Sequence, residues 1–282
     1  MYVTKAYYAG KYIYVKNHTP MPKLPLGQRL KRWRETTKAM EKYNNLRRAE
    51  KLQLLILNNF DKGYHISLDY AKGFRPETYE EAEKRLTKCL HKVSRRLKKK
   101  GIPFKYIAVT ERGKKAAALH HHLVVEHNAD VLAELLSVWG NHMHISVMYE
   151  EGQYKDLAEY LVKKETKEEQ TKGKAKYHRS RNLKEPIERK TEIDGQMTDA
   201  PYIPQGYKLM HFENGYNETV GVRWQRYMLM EIPDPAAGKK KKSESIRRES
   251  ESSRNYPESN EKCIKRESLW SKIKRKLFGG KK

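Results

Sequence analysis

The chain has 282 residues, with 60 Lys plus Arg against 35 Asp plus Glu and a formal net charge of +25. Such a balance favours a polyanionic partner, because each neutralised phosphate releases counterions. Cys89 and Cys263 lie far apart, which excludes a disulfide framework, and no stretch has the apolar length of a signal peptide or membrane span; the expected location is the cytoplasm of a bacterial host.

Residues 1–62 read as a basic N-terminal arm. Residues 7–15 alternate enough for a small hairpin around Gly10, and 36–57 read as a basic helix with Leu46, Ala49, Leu52 and Ile56 at helical spacing. Two roles stay open for that helix: packing on the main domain with a solvated basic face, or contacting DNA.

Residues 63–166 alternate between element types. A strand is expected at 64–70, then an amphipathic helix at 79–99 with Ala82, Leu86, Leu90, Val93 and Leu97 on one stripe, closed by Gly101 and Pro103. Strands follow at 105–112 and 119–126, joined by a Gly-Lys-Lys turn that suggests a hairpin. A helix at 129–138, a strand at 142–149 and a helix at 155–165 complete the series. The order β-α-β-β-α-β predicts an α+β fold of the ferredoxin-like, split βαβ kind. Its antiparallel sheet should carry helices on one face and leave the other free for a substrate.

Residues 167–237 read as an accessory extension of this core. The run 167–181 is polar and basic, which suits a loop or an extended DNA contact; strands at 207–212 and 220–231 either form a subdomain or widen the sheet. From 238 to 282 the composition is that of a disordered basic tail. Residues 239–282 hold 16 Lys plus Arg and 6 Glu, and Leu269, Trp270, Ile273, Leu277 and Phe278 share one side of a short helix at 268–278. A basic amphipathic helix can touch membrane, DNA or a protein; non-specific help to DNA affinity is preferred over membrane contact here.

Chemistry concentrates between Leu119 and Lys163. Alternate strand residues share a face, so His120 and His122 point one way and His121 the other. Glu111 lies across the hairpin, where its carboxylate completes a set of two imidazoles and one oxygen. Open sites of this kind suit Mg²⁺ or Mn²⁺ and bind a scissile phosphate. Tyr160 follows on a helix, with Lys163 three residues later on the same side. A phenol has a pKa of about 10, so it needs a metal, base or cation to attack as phenolate. The expected product is a 5′-phosphotyrosyl enzyme and a free 3′-hydroxyl, a bond that keeps the strand resealable. A tyrosine on an amphipathic helix is by itself more often a core residue; the histidines and Lys163 reverse that balance. His142-Met143-His144 is a rival metal pair but lacks a paired strand carrying Glu111. Tyr154 is nearly two turns from Tyr160, and Asp156 stands where a second nucleophile would be, which favours a single-tyrosine enzyme.

At these residues the chain resembles the HUH endonucleases (His, a hydrophobic residue, His), and within them the rolling-circle replication initiators of small plasmids and phages. The resemblance covers about residues 64–166. His-Ile-Ser-Leu-Asp-Tyr at 65–70 resembles the first-strand motif, Glu111 with His120-His121-His122 the metal motif, and Tyr160-Leu161-Val162-Lys163 the nucleophile motif. One departure is His121, where the family has a hydrophobe. The resemblance implies a palm domain and a replication nickase acting at a hairpin or single-stranded origin with Mg²⁺ or Mn²⁺. Lys164, Arg112, Lys114 and Lys115 are then expected to contact the DNA. Ser180-Arg181-Asn182-Leu183 is similar to a run in such proteins, with no mechanism attached. The sequence has no Gly-x-x-x-x-Gly-Lys-Ser/Thr phosphate loop, so a host helicase and polymerase are expected partners. A relaxase or a single-tyrosine transposase shares the chemistry. A non-catalytic RNA-binding module of this fold needs base-stacking aromatics on central strands, and here the strand carries three histidines instead. A nuclease that uses water would leave Tyr160 dispensable.

Overall fold

Residues 1–20, 38–60, 62–113, 118–148, 154–162, 177–218 and 221–233 are described in a computed structural model of the chain. Along them run β1 (Tyr2–Ala9), β2 (Tyr12–His18), α1 (Lys38–Asn59), β3 (Gly63–Leu68), a 3-10 turn (Lys72–Phe74), α2 (Tyr79–Lys99), β4 (Tyr106–Arg112) and β5 (Leu119–Glu126). There follow α3 (Ala129–Trp139), β6 (Met143–Met148), α4 (Lys155–Val162), β7 (His178–Arg179), β8 (Ile187–Ile193), β9 (Tyr207–Asn217) and β10 (Val222–Glu231). The expected tail and its helix at 268–278 lie outside the described residues.

The chain forms two compact units. One holds a sheet ordered β6-β3-β5-β4-β7, antiparallel at every printed pairing. With β3, β4, β5 and β6 as the four strands of the series, the order is that of two interleaved βαβ units. β5 is therefore internal, flanked by β3 and β4. Gly63 opens β3 because a Cβ there would sit 2.8 Å from the carbonyl oxygen of Val125 on β5.

Each helix starts and stops for local reasons. The Thr78 side chain accepts from the Glu81 amide to cap α2, and Glu80 and Glu81 stand in its first turn. Asn128 caps α3 in the same way, accepting from the amides of Asp130 and Val131. The α2 stripe Leu86, Leu90, Val93 and Leu97 packs with Val131 and Leu135 of α3 against Ile66, Leu68, Ala108, Leu123 and Val125 of the sheet. This face of the sheet is the main core.

The opposite face differs from the expectation of an open platform. Ile107, Val109 and Val124 alternate with the core residues, so they point to that face, and all three are buried. The α4 residue Tyr160 reaches onto it, and α1 packs against α4. Ala49, Leu52 and Ile56 of α1 are buried, whereas Leu46, expected on the same stripe, is exposed. Leu46 is three residues ahead of Ala49, where the helix has run past its buried partners.

The run at 180–183 has a structural role. Tyr106 donates its amide to Ser180 Oγ at 3.0 Å, Ser180 donates its own amide to the Tyr106 carbonyl at 3.0 Å, and Asn182 Nδ2 donates to the Phe104 carbonyl at 3.3 Å. With β7, these bonds close the outer edge of β4, a strand edge that would otherwise be open to foreign pairing.

The second unit holds a sheet ordered β8-β1-β2-β10-β9. The expected hairpin forms, turning at Gly10, whose φ of +59° favours glycine. Its strands do not stand apart as an arm's own structure: β2 pairs with β10 from Trp224↔His18 to Met230↔Tyr12. The strands expected in 207–212 and 220–231 are thus part of the sheet that contains the N-terminal hairpin. Inside it Asn17 Nδ2 donates to Gln225 Oε1 at 3.2 Å, both side chains buried.

Candidate metal and nucleophile site

Strand register assembles the site. Glu111 on β4 pairs with His120 on β5, and His122 lies two residues on, so all three share one face. His120 Nε2 and His122 Nε2 lie 3.1 and 2.9 Å from Glu111 Oε1 and 3.1 Å from each other. From α4, Tyr160 Oη donates to Glu111 Oε1 at 2.7 Å and lies 3.1 Å from His122 Nε2. Four heteroatoms from three elements thus converge on one point.

Electrostatics follow from this crowding. Burial alone would raise the Glu111 pKa, but hydrogen bonds from His120, His122 and Tyr160 outweigh it and hold the carboxyl well below its usual range. The same bond to Glu111 raises the His120 pKa against the effect of burial. Burial first, then the hydrogen bond and charge of Glu111, push the Tyr160 phenol above its ordinary value. The proton on Tyr160 is therefore held firmly, by the carboxylate that faces it.

Among the described residues, Glu111, His120 and His122 form the group able to hold a metal ion, their donor atoms lying within 4.8 Å of one another. The donor set fits a divalent cation. Two imidazole nitrogens facing each other at 3.1 Å and sharing one carboxylate oxygen need positive charge among them. A proton or a cation meets that need, and two nitrogens with one carboxylate are ordinary ligands for the latter.

Behind His122 stands a residue that spacing along the chain did not single out. His65 on β3 places Nε2 3.2 Å from His122 Nδ1, with the two rings stacked at 5.2 Å. Burial, then the neighbouring His122, lower the His65 pKa to about 4, so this ring is neutral at physiological pH. Its contact leaves His122 Nε2 as the nitrogen facing Glu111. The available signal was the His at the start of the 65–70 motif; the missing information was that β3 lies beside β5.

His121 points through the sheet, fully buried. Its Nε2 is 2.5 Å from Tyr70 Oη and its Nδ1 2.8 Å from Thr110 Oγ1, with Trp139 edge-on at 5.5 Å. Burial lowers its pKa to about 3. It is a neutral core histidine that braces the strand between the two donors.

The rival pair separates. His142 precedes β6, and His144 is exposed on that edge strand. Tyr154 is buried at the start of α4, while Tyr160 is 37% exposed. Arg112 pairs with Leu119, one residue beyond Glu111, so alternation sets it on the face opposite Glu111. Lys163, Lys164, Lys114 and Lys115 lie outside the described residues.

No helix of the described residues is long and apolar enough to cross a membrane. No curated protein and no solved structure matches the chain. Residues 64–169, which hold all four converging side chains, match the model of the replication-associated protein ORF2 family, and this similarity supports a role in DNA replication initiation.

Proposed function

We propose that the chain nicks and rejoins single-stranded DNA at a replication origin through a 5′-phosphotyrosine intermediate on Tyr160, as a rolling-circle initiator of a plasmid or phage. The observation that carries this reading is the phenol of Tyr160 lying within hydrogen-bond distance of both Glu111 and His122. A tyrosine that merely filled a core would bury its ring; this one is partly exposed and turns its oxygen to the metal-type donors.

Glu111, His120 and His122 would hold Mg²⁺ or Mn²⁺, which when bound neutralises charge on the scissile phosphate. Tyr160 Oη forms a bond to phosphorus as the bond to the 3′ oxygen breaks. The phenolic proton leaves along its existing hydrogen bond toward Glu111 Oε1, and the departing 3′ oxygen gains a proton. The reverse sequence rejoins the strand. Lys163 adds positive charge at the phosphate, and Arg112, Lys114, Lys115 and Lys164 contact the DNA backbone. A host helicase and polymerase extend the opened strand.

The test uses Mn²⁺, labelled single-stranded DNA from the element encoding the protein, and a denaturing gel. Label should migrate with wild-type protein and not with Tyr160→Phe. Cleavage that persists in Tyr160→Phe would assign the reaction to water and refute the tyrosine intermediate.

A further inference from the structure

On the helix-covered side of the β3-β5-β4 sheet a cleft of about 440 Å³ opens where β3 ends and β6 begins. This volume falls within the roughly 300–1,000 Å³ of small-ligand sites. Tyr70, Phe74 and Trp139 supply three rings to its wall, and Arg85, Lys88 and Lys92 supply three cations. The cations recur at spacings of three and four along α2, so they form one row on one helix face. Asp69 is the carboxylate in the lining, so positive charge prevails.

The walls are organised before any ligand arrives. The Trp139 indole donates to the Asp69 carbonyl at 2.9 Å and lies 5.1 Å from the Tyr70 ring. Arg85 donates to the Phe74 carbonyl at 2.5 Å and to Glu81 Oε1 at 2.6 Å, and its guanidinium sits 5.6 Å over the Tyr70 ring. Phe74 is 72% exposed, an apolar ring held in water at the rim by its 3-10 turn. Such a ring gains most from a flat apolar partner.

We propose that this cleft holds one unpaired nucleotide of the single-stranded DNA, its base stacked against Phe74 and Trp139 and its phosphate on Lys88 and Lys92. Rings answer a base and cations answer a phosphate, and any base offers a stacking face. The cleft also adjoins the strand that carries the metal-type donors: Tyr70, in its wall, bonds to His121, which lies between His120 and His122. Occupancy of the cleft would therefore position the strand relative to the nicking site. The inference rests on the strand-transfer reading only in taking single-stranded DNA as the ligand.

The test uses the full chain in EDTA with 20-mer single strands, each carrying 2-aminopurine at a different position. Wild type should quench fluorescence strongly at one position, and Phe74→Ala should remove that quench and weaken single-strand affinity about fivefold or more. Lys88→Gln with Lys92→Gln should lower the salt dependence of binding. Blunt duplex of the same sequence should bind wild type and Phe74→Ala alike. Absence of a quenched position, or equal quench and affinity in Phe74→Ala, overturns the proposal. So does competition by deoxyadenosine monophosphate as effective as that by the strand, which would make this a free-nucleotide site. Adduct formation with Mn²⁺ on the same oligonucleotides separates the two readings. Adduct without a quenched position sinks the cleft alone; quench without adduct sinks the strand-transfer reading alone.

Discussion

Tyr160 and Glu111, 49 residues apart in the chain, meet at 2.7 Å, the phenol donating to the carboxylate that also faces two imidazoles. One carboxylate oxygen thus serves three donors. In this arrangement the phenol is kept protonated and the carboxylate ionised, each by the other. A cation taken up by the donors would compete for the same oxygen and loosen the hold on the phenolic proton.

Glu111→Gln keeps the shape of the side chain and removes its charge. Mn²⁺ affinity, read by calorimetry or electron paramagnetic resonance, should fall about tenfold or more, since a carboxamide is a poorer ligand for a hard cation. Unchanged affinity would place the metal elsewhere.

His65 bears on the metal through His122. Partners of ligating histidines typically contribute about 10- to 100-fold to metal affinity. His65→Ala should therefore weaken Mn²⁺ binding within that range, and His65→Gln, which can still bond to His122 Nδ1, should recover part of the loss. Equal affinity in all three proteins would reduce His65 to packing.

His121 contributes to stability instead of chemistry. Truncation to alanine leaves a cavity and removes partners from Tyr70 and Thr110, at a cost of roughly 2–4 kcal/mol. Urea unfolding of His121→Ala checks this; a loss below about 1 kcal/mol would show that the site collapses without penalty.

The edge clamp at β4 makes a smaller, separate demand. Ser180→Ala takes away the acceptor of the Tyr106 amide and should cost about 1–2 kcal/mol in urea unfolding. Retained stability would mean that water replaces the hydroxyl.

The contact between His178 and Glu83 predicts a pH window. The bond to Glu83 raises the His178 pKa above 6.5, against burial. Burial would raise that of Glu83, but its bonds to His178 and Thr110 bring it below 4.5. Stabilisation from the raised histidine is complete below its unfolded value and fades as pH rises through the folded one. Stabilisation from the lowered carboxylate is present above its unfolded value and fades as pH falls through the folded one. The Tm gap between wild type and His178→Gln should therefore peak at about pH 5–6 and narrow toward about pH 9. A gap constant across that range would remove the ion pair from the account.

Local rules made much of this legible in advance. The helix Tyr79–Lys99 and the strand Leu119–Glu126 form over the residues expected, because their apolar periods and end signals lie within the segments themselves. Period-two alternation was enough to put His120 and His122 on one face, since it depends on the strand alone.

What the sequence by itself determined is the set of elements, the pairing of two histidines across from Glu111 in one hairpin, and a basic chain suited to nucleic acid. Tertiary structure decided the rest. That β3 lies beside β5, bringing His65 to His122, depends on strand order; that α4 covers the donor face, bringing Tyr160 to Glu111, depends on helix packing. The union of β2 with β10, more than 200 residues away, is likewise a long-range choice, with Asn17 bonded to Gln225 across a separation of 208. Periodicity tells which face of an element seeks cover but not which partner supplies it, because that choice is made by the burial of the whole chain at once.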